Sequence, residues 1–106
     1  MLSKKARLSR DDFPKKRATK RYPLSWGAVL VYPHNHFKAA VVVSKKTLKK
    51  AHERNRLKRR VYAALESLST EVLLVKVVVL PRSEALTVPL GALKTDLEHV
   101  LGKEMH

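Results

Sequence analysis

The sequence predicts one two-layer domain that mixes helices with a β-sheet, α/β or α+β in class, and three observations predict it. Hydrophobic residues make up 44% of 106 residues, which suffices for one core in a chain too short for a second. A β-branched apolar run, a helix with a single apolar face and another β-branched run follow one another between residues 38 and 80, a unit that lays a helix on a sheet. A second amphipathic segment ends the chain, so the helical layer has at least two members.

Taken in order, Ser9 and Asp12 resemble a helix N-cap and its partner ahead of Phe13, and Pro14 shortens that helix or moves its start. "SWGAVLVY" (25–32) is rich in strand formers, "PHNH" (33–36) supplies turn residues and "KAAVVVS" (38–44) resumes the apolar run, which predicts two strands with a short connection. From Thr47 to Leu68 there is no Gly or Pro, and Leu57, Val61, Ala64, Leu65 and Leu68 recur on one face, predicting the main helix. "VLLVKVVVL" (72–80) predicts a strand covered on both faces. Pro89 opens a last helix whose apolar face is Leu90, Leu93, Leu97, Val100 and Leu101, with Gly102 placed to cap it. The residues alone therefore read (α)ββαβα, as a single unit without repeat or low-complexity linker.

The charge is the unusual feature. The formal net charge is +14, and it is one-sided: residues 1–60 hold 19 Lys or Arg against 3 Asp or Glu, whereas residues 61–106 hold 4 against 6. Such a field draws polyanions, because neutralising phosphates releases condensed counterions. Nucleic acid is the leading partner. No apolar run approaches the roughly 18 residues of a spanning helix, and "MLSKKARLSR" has no apolar signal core, so the expectation is a cytoplasmic protein without a membrane partner. The absence of cysteine excludes disulfides, thiolate nucleophiles and Cys-based zinc sites.

The surplus is densest in "SKKTLKKAHERNRLKRR" (44–60), nine Lys or Arg in seventeen positions with Glu53 as the only acid. On a helical wheel His52, Asn55, Arg56, Arg59 and Tyr62 lie broadly opposite the Leu57/Val61/Leu65 stripe. Lys45, Lys46, Lys49 and Lys50 fall at or before the start of the helix, where free amides and the helix dipole also favour phosphate. A basic face that served only to be solvated would suffer like-charge repulsion at i, i+4 with little to offset it.

"RNRLKR" (54–59), preceded by "VVVSKK" (41–46), resembles the signature of the bacterial ribonuclease P protein subunit, and "RLSRDDF" (7–13) resembles that family's opening. The resemblance covers most of the chain. It implies an α/β two-layer sandwich in the order αβββαβα, with a left-handed βαβ crossover carrying the motif helix, like the second domain of ribosomal protein S5. Nearly all such crossovers are right-handed, so no periodicity points to that hand. The function implied is that of a protein subunit of a ribonucleoprotein endonuclease: it binds the catalytic ribonuclease P RNA and the 5′ leader of precursor tRNA, and assists Mg2+-dependent hydrolysis performed by the RNA. The protein supplies no catalytic residue, the Mg2+ is held mainly by RNA and substrate, and no further protein partner is implied.

Position by position, Arg54, Asn55, Arg56, Lys58 and Arg59 match the family's basic motif, and Lys45 and Lys46 its lysine pair; Arg forks and an Asn amide suit phosphates and folded RNA. Lys49, Lys50, His52 and Arg60 extend this RNA-binding set. Phe13 matches the first aromatic of the leader-binding cleft, where ring faces stack on single-stranded bases, and it serves equally well as an anchor in the core. This sequence departs from the pattern in three places. The glycine that commonly follows V-S-K-K is absent, so the turn is expected to differ. A frequent Arg is replaced by Tyr62, for which Arg60 is expected to substitute electrostatically. A second cleft aromatic falls on Arg17, so leader contact is expected to lean on charge or to borrow Tyr22, Trp26, Tyr32 or Phe37.

"HNH" (34–36) is too compact for a dispersed metal-nuclease site and reads as a polar turn. Asp11 and Asp12 suit a helix start. No Ser/His/Asp or paired-carboxylate constellation emerges. The alternative to the subunit role is a non-catalytic RNA- or DNA-binding protein of ribosome-associated or nucleoid type.

Overall fold

The computed structural model describes residues 20–34, 37–68 and 75–103. The expected N-terminal helix, with Asp11, Asp12, Phe13 and Arg17, lies outside them, as do Asn35 and His36. The described elements are β1 (Lys20–Leu24), β2 (Gly27–Pro33), β3 (Lys38–Val41), α1 (Ala51–Glu66), β4 (Val75–Pro81), a 3-10 turn (Ser83–Leu86) and α2 (Leu90–Gly102). Four strands form one sheet in the order β1-β2-β4-β3. The β1–β2 and β2–β4 pairs are antiparallel, and β3 runs parallel to β4. A parallel pair cannot be joined by a tight turn, and α1 lies in the connection between these two strands.

The strand period sorts the core. Ala39, Val77 and Val31 lie in one cross-strand row, and Val41, Val79 and Val29 in another, so alternate residues present one apolar face. Both helices close that face: Leu57, Val61, Ala64 and Leu65 of α1 and Leu93, Leu97, Val100 and Leu101 of α2 join the same buried cluster. Each fully buried Leu or Val contributes about 1.5–3 kcal/mol relative to exposure, which makes this layer the main source of stability. The opposite face carries a smaller cluster, Ala40 and Val78 flanked by Leu30, Tyr32 and Leu80. Val77, Val78 and Val79 are all buried, as the mostly continuous apolar run predicts for a strand covered on both faces.

Three boundaries differ from the sequence reading. Ser25 and Trp26 belong to the turn of the β1–β2 hairpin, with Leu24 facing Gly27 across it. Trp26 is fully buried; its Nε1 donates to Asp96 Oδ2 at 2.9 Å, tying the turn to α2. Arg82 holds the same turn from outside, its Nη2 donating to the Ser25 carbonyl at 2.6 Å and the Leu24 carbonyl at 3.2 Å. Gly27 is needed for close approach, since a Cβ there would lie 2.5 Å from the Leu80 carbonyl oxygen of β4.

The main helix begins at Ala51, because residues 45–47 form a turn of their own. The Thr47 and Leu48 amides donate to the Ser44 carbonyl at 3.1 and 3.2 Å, and the Ser44 and Thr47 hydroxyls lie 3.0 Å apart. These hydroxyls shape the turn locally, and among the described residues no backbone has positive φ, so the missing glycine is not required. At the far end Gly102 is the last residue of α2, and the C-cap is Lys103 in a right-handed conformation.

Candidate nucleic-acid interface

Burial of the Leu57/Val61/Leu65 stripe turns the opposite side of α1 outward. His52, Asn55, Arg56 and Arg59 are exposed along it, and Lys45, Lys46, Lys49 and Lys50 are exposed in the connection that leads to it. The N-cap, Lys50, makes no side-chain capping bond, and Glu53 is the only acid in the first turn. Leading amides without a side-chain cap, the positive end of the helix dipole and four lysines therefore meet at one end of the helix. Exposed cations recur from the lysine turn to Arg59, a distribution that suits a phosphate backbone followed over several nucleotides.

The other predicted residues have different surroundings. Arg54 is half-buried, and its Nη1 donates to the Leu48 and Lys49 carbonyls, each at 2.8 Å. Lys58 is half-buried on the same flank. Arg60 does not extend the basic face: its Nη2 donates to the Val88 carbonyl ahead of α2, and its Nε is buried without a hydrogen-bond partner. The charge expected to substitute for the missing arginine thus sits beside the fold, with part of its donor set used within the chain. Three residues after Leu57 and four before Ala64, it borders the apolar stripe, and its polar end goes to a backbone acceptor between the 3-10 turn and α2. Tyr62 is also half-buried and packs on the main core; its hydroxyl accepts the Val41 amide of β3 at 3.2 Å.

Of the aromatics offered for leader contact, three belong to the helical side of the sheet. Trp26 and Phe37 are buried in the main cluster. Tyr22 packs against that cluster, with Lys103 Nζ 5.4 Å from its ring centroid. Tyr32 is different: it flanks the smaller cluster on the opposite face and lies in register with Lys76, which pairs in turn with Lys38. A row of Tyr, Lys and Lys thus crosses three strands. The sequence alone singles out neither lysine, because they are adjacent only through strand register; the alternation along β2 is the available signal for Tyr32. Among the described residues no three His, Cys, Asp or Glu come together in a way that could hold a metal ion, and no helix is long and apolar enough to cross a membrane.

Comparison with known proteins agrees with this architecture. The family model described as Ribonuclease P matches residues 2–104. A Staphylococcus aureus RNase P protein mutant with defective mRNA degradation activity superposes with a TM-score of 0.73 at 24% identity, over 93% of this chain and 87% of that one. The RNase P protein from Thermotoga maritima gives 0.65 at 24% identity, over 79% and 82%. The same Thermotoga protein in complex with 1-(4-fluorophenyl)-2-thiourea gives 0.62 at 25% identity, over 77% and 82%. From β1 to α2 the described elements follow the βββαβα order expected of such a sandwich.

Proposed function

Because this chain belongs to the ribonuclease P protein family and is a protein subunit of that enzyme, we propose that it binds the catalytic RNA through the outer side of α1 and the lysine turn. The observation that carries this reading is the segregation on α1: one side is fully buried, and the other offers His52, Asn55, Arg56 and Arg59 to solvent. Guanidinium forks match pairs of phosphate oxygens, and the Asn amide can both donate and accept at a sugar or base edge. The same reading gives the single-stranded 5′ leader of precursor tRNA to the other face of the sheet. There Tyr32 offers a ring for stacking, and Lys38 and Lys76 supply charge for the backbone, a combination that tolerates any leader sequence.

In the proposed reaction water attacks the phosphorus at the leader junction and the bond to the leader's 3′ oxygen breaks. The mature tRNA keeps a 5′ phosphate and the leader leaves with a 3′ hydroxyl. In this proposal no step of the chemistry is assigned to the protein, and the required Mg2+ rests on RNA and substrate. The protein's part is to hold two polyanions together at low Mg2+, where their mutual repulsion is greatest.

The test is precursor-tRNA cleavage by a bacterial ribonuclease P RNA at low Mg2+ and near-physiological salt, with and without the protein. A large rise on addition, with no cleavage by protein alone, is the expected result. Demonstrated RNA binding without any rise would move the function to non-catalytic RNA binding.

A further inference from the structure

Arg54 matches the first arginine of the basic motif, yet its surroundings differ from those of Arg56. Its Nη1 spans two successive carbonyls, Leu48 and Lys49, at 2.8 Å each, so both hydrogens of that nitrogen are engaged within the chain. Leu48 packs against the main core, while Lys49 and Lys50 are exposed. The other end of the same connection is closed by the Ser44 and Thr47 hydroxyls.

We propose that Arg54 is a positioning residue: it clamps the Leu48–Lys49 backbone onto the first turns of α1, so that Lys49 and Lys50 meet the RNA already ordered beside the start of the helix. This rests on the ribonuclease P reading above. Lysines on an unrestrained connection must lose backbone freedom when they bind, and a connection fixed beforehand removes that cost from the association step. A charge-assisted donor to carbonyls suits the task, because it is stronger than a neutral one. Arg54 therefore acts on RNA affinity through its neighbours, whereas Arg56 acts by direct contact.

A double-mutant cycle separates the two roles. Binding of a bacterial ribonuclease P RNA is measured for Arg54→Ala and Arg56→Ala, each in the unsubstituted protein and in the Lys49→Ala/Lys50→Ala background. Arg54→Ala is expected to weaken binding about tenfold in the unsubstituted protein, the size of one charge-assisted bond, and less than about twofold in the background lacking the lysines. Arg56→Ala is expected to cost the same in both. An equal loss from Arg54→Ala in both backgrounds, or no loss in the first, overturns the inference alone. Failure of the unsubstituted protein to bind this RNA overturns the inference together with the reading beneath it. Should Arg54→Ala not fold, nuclear magnetic resonance of the unsubstituted protein decides: Arg54 guanidinium protons that stay protected from solvent exchange as RNA is added support the clamp, and loss of that protection overturns it.

Discussion

Arg56 and Arg60 stand one helical turn apart in the same basic run, and composition cannot distinguish them. Arg56 is exposed; Arg60 is half-buried, donates to the Val88 carbonyl and keeps its Nε out of water. The difference is angular. Arg60 borders the stripe that packs on the sheet, so its aliphatic stem is covered and its head must find a backbone acceptor. Arg56 is turned away from the sheet and keeps its full donor set for a partner. A basic helix is thus not uniformly a solvent-facing cationic surface, because its flanks use charge to fasten the fold.

Substitutions along α1 can break this contrast, and the largest effect on stability is expected on its inward side. Leu57→Ala opens a void at the fully buried seam and is expected to cost about 2–5 kcal/mol in urea unfolding; a smaller loss would mean that the inward side is not tightly packed. Arg60→Ala should cost about 1.5–3 kcal/mol, the range of a hydrogen bond from a charged donor, while the salt dependence of RNA binding stays unchanged. A fall in that salt slope would return Arg60 to the RNA face. Tyr62→Phe removes the acceptor of the Val41 amide and is expected to cost about 0.5–1.5 kcal/mol, read from the shift in thermal midpoint. Arg56→Ala should alter stability by less than about 0.5 kcal/mol, yet lower the salt slope of RNA binding by about one for the lost phosphate contact. A stability loss equal to that of Arg60→Ala would erase the distinction.

How far these roles were legible depends on the range of the signal. The inward stripe of α1 and the central strand were readable, because helical spacing and an unbroken Val run are local. Strand β1 was not read from its own residues. Lys20, Arg21 and Pro23 speak against a strand in isolation, and it forms because an edge position tolerates charge and proline while β2 supplies the pairing. Trp26 looked like the start of a strand, since its anchor, Asp96, lies seventy residues away. The basic motif gave the surface but not the division of labour within it: whether Arg54 meets RNA or its own backbone depends on where the chain before the helix folds back. The row of Tyr32, Lys76 and Lys38 likewise exists only once strand order and register are known.

The strand order also has a consequence for the time course of folding. β2 and β3 do not pair with each other; each pairs with β4, which follows α1 in the chain. A nascent chain that has emerged through Glu66 already carries the whole basic run, and of the described strand pairs it can form the β1–β2 hairpin alone. Closure must wait for Val75–Pro81 to insert between two strands made earlier, a nonlocal step of the kind that slows folding. Until then the basic run of α1 has no completed sheet to pack on. The fixed direction of that charge arrives with β4.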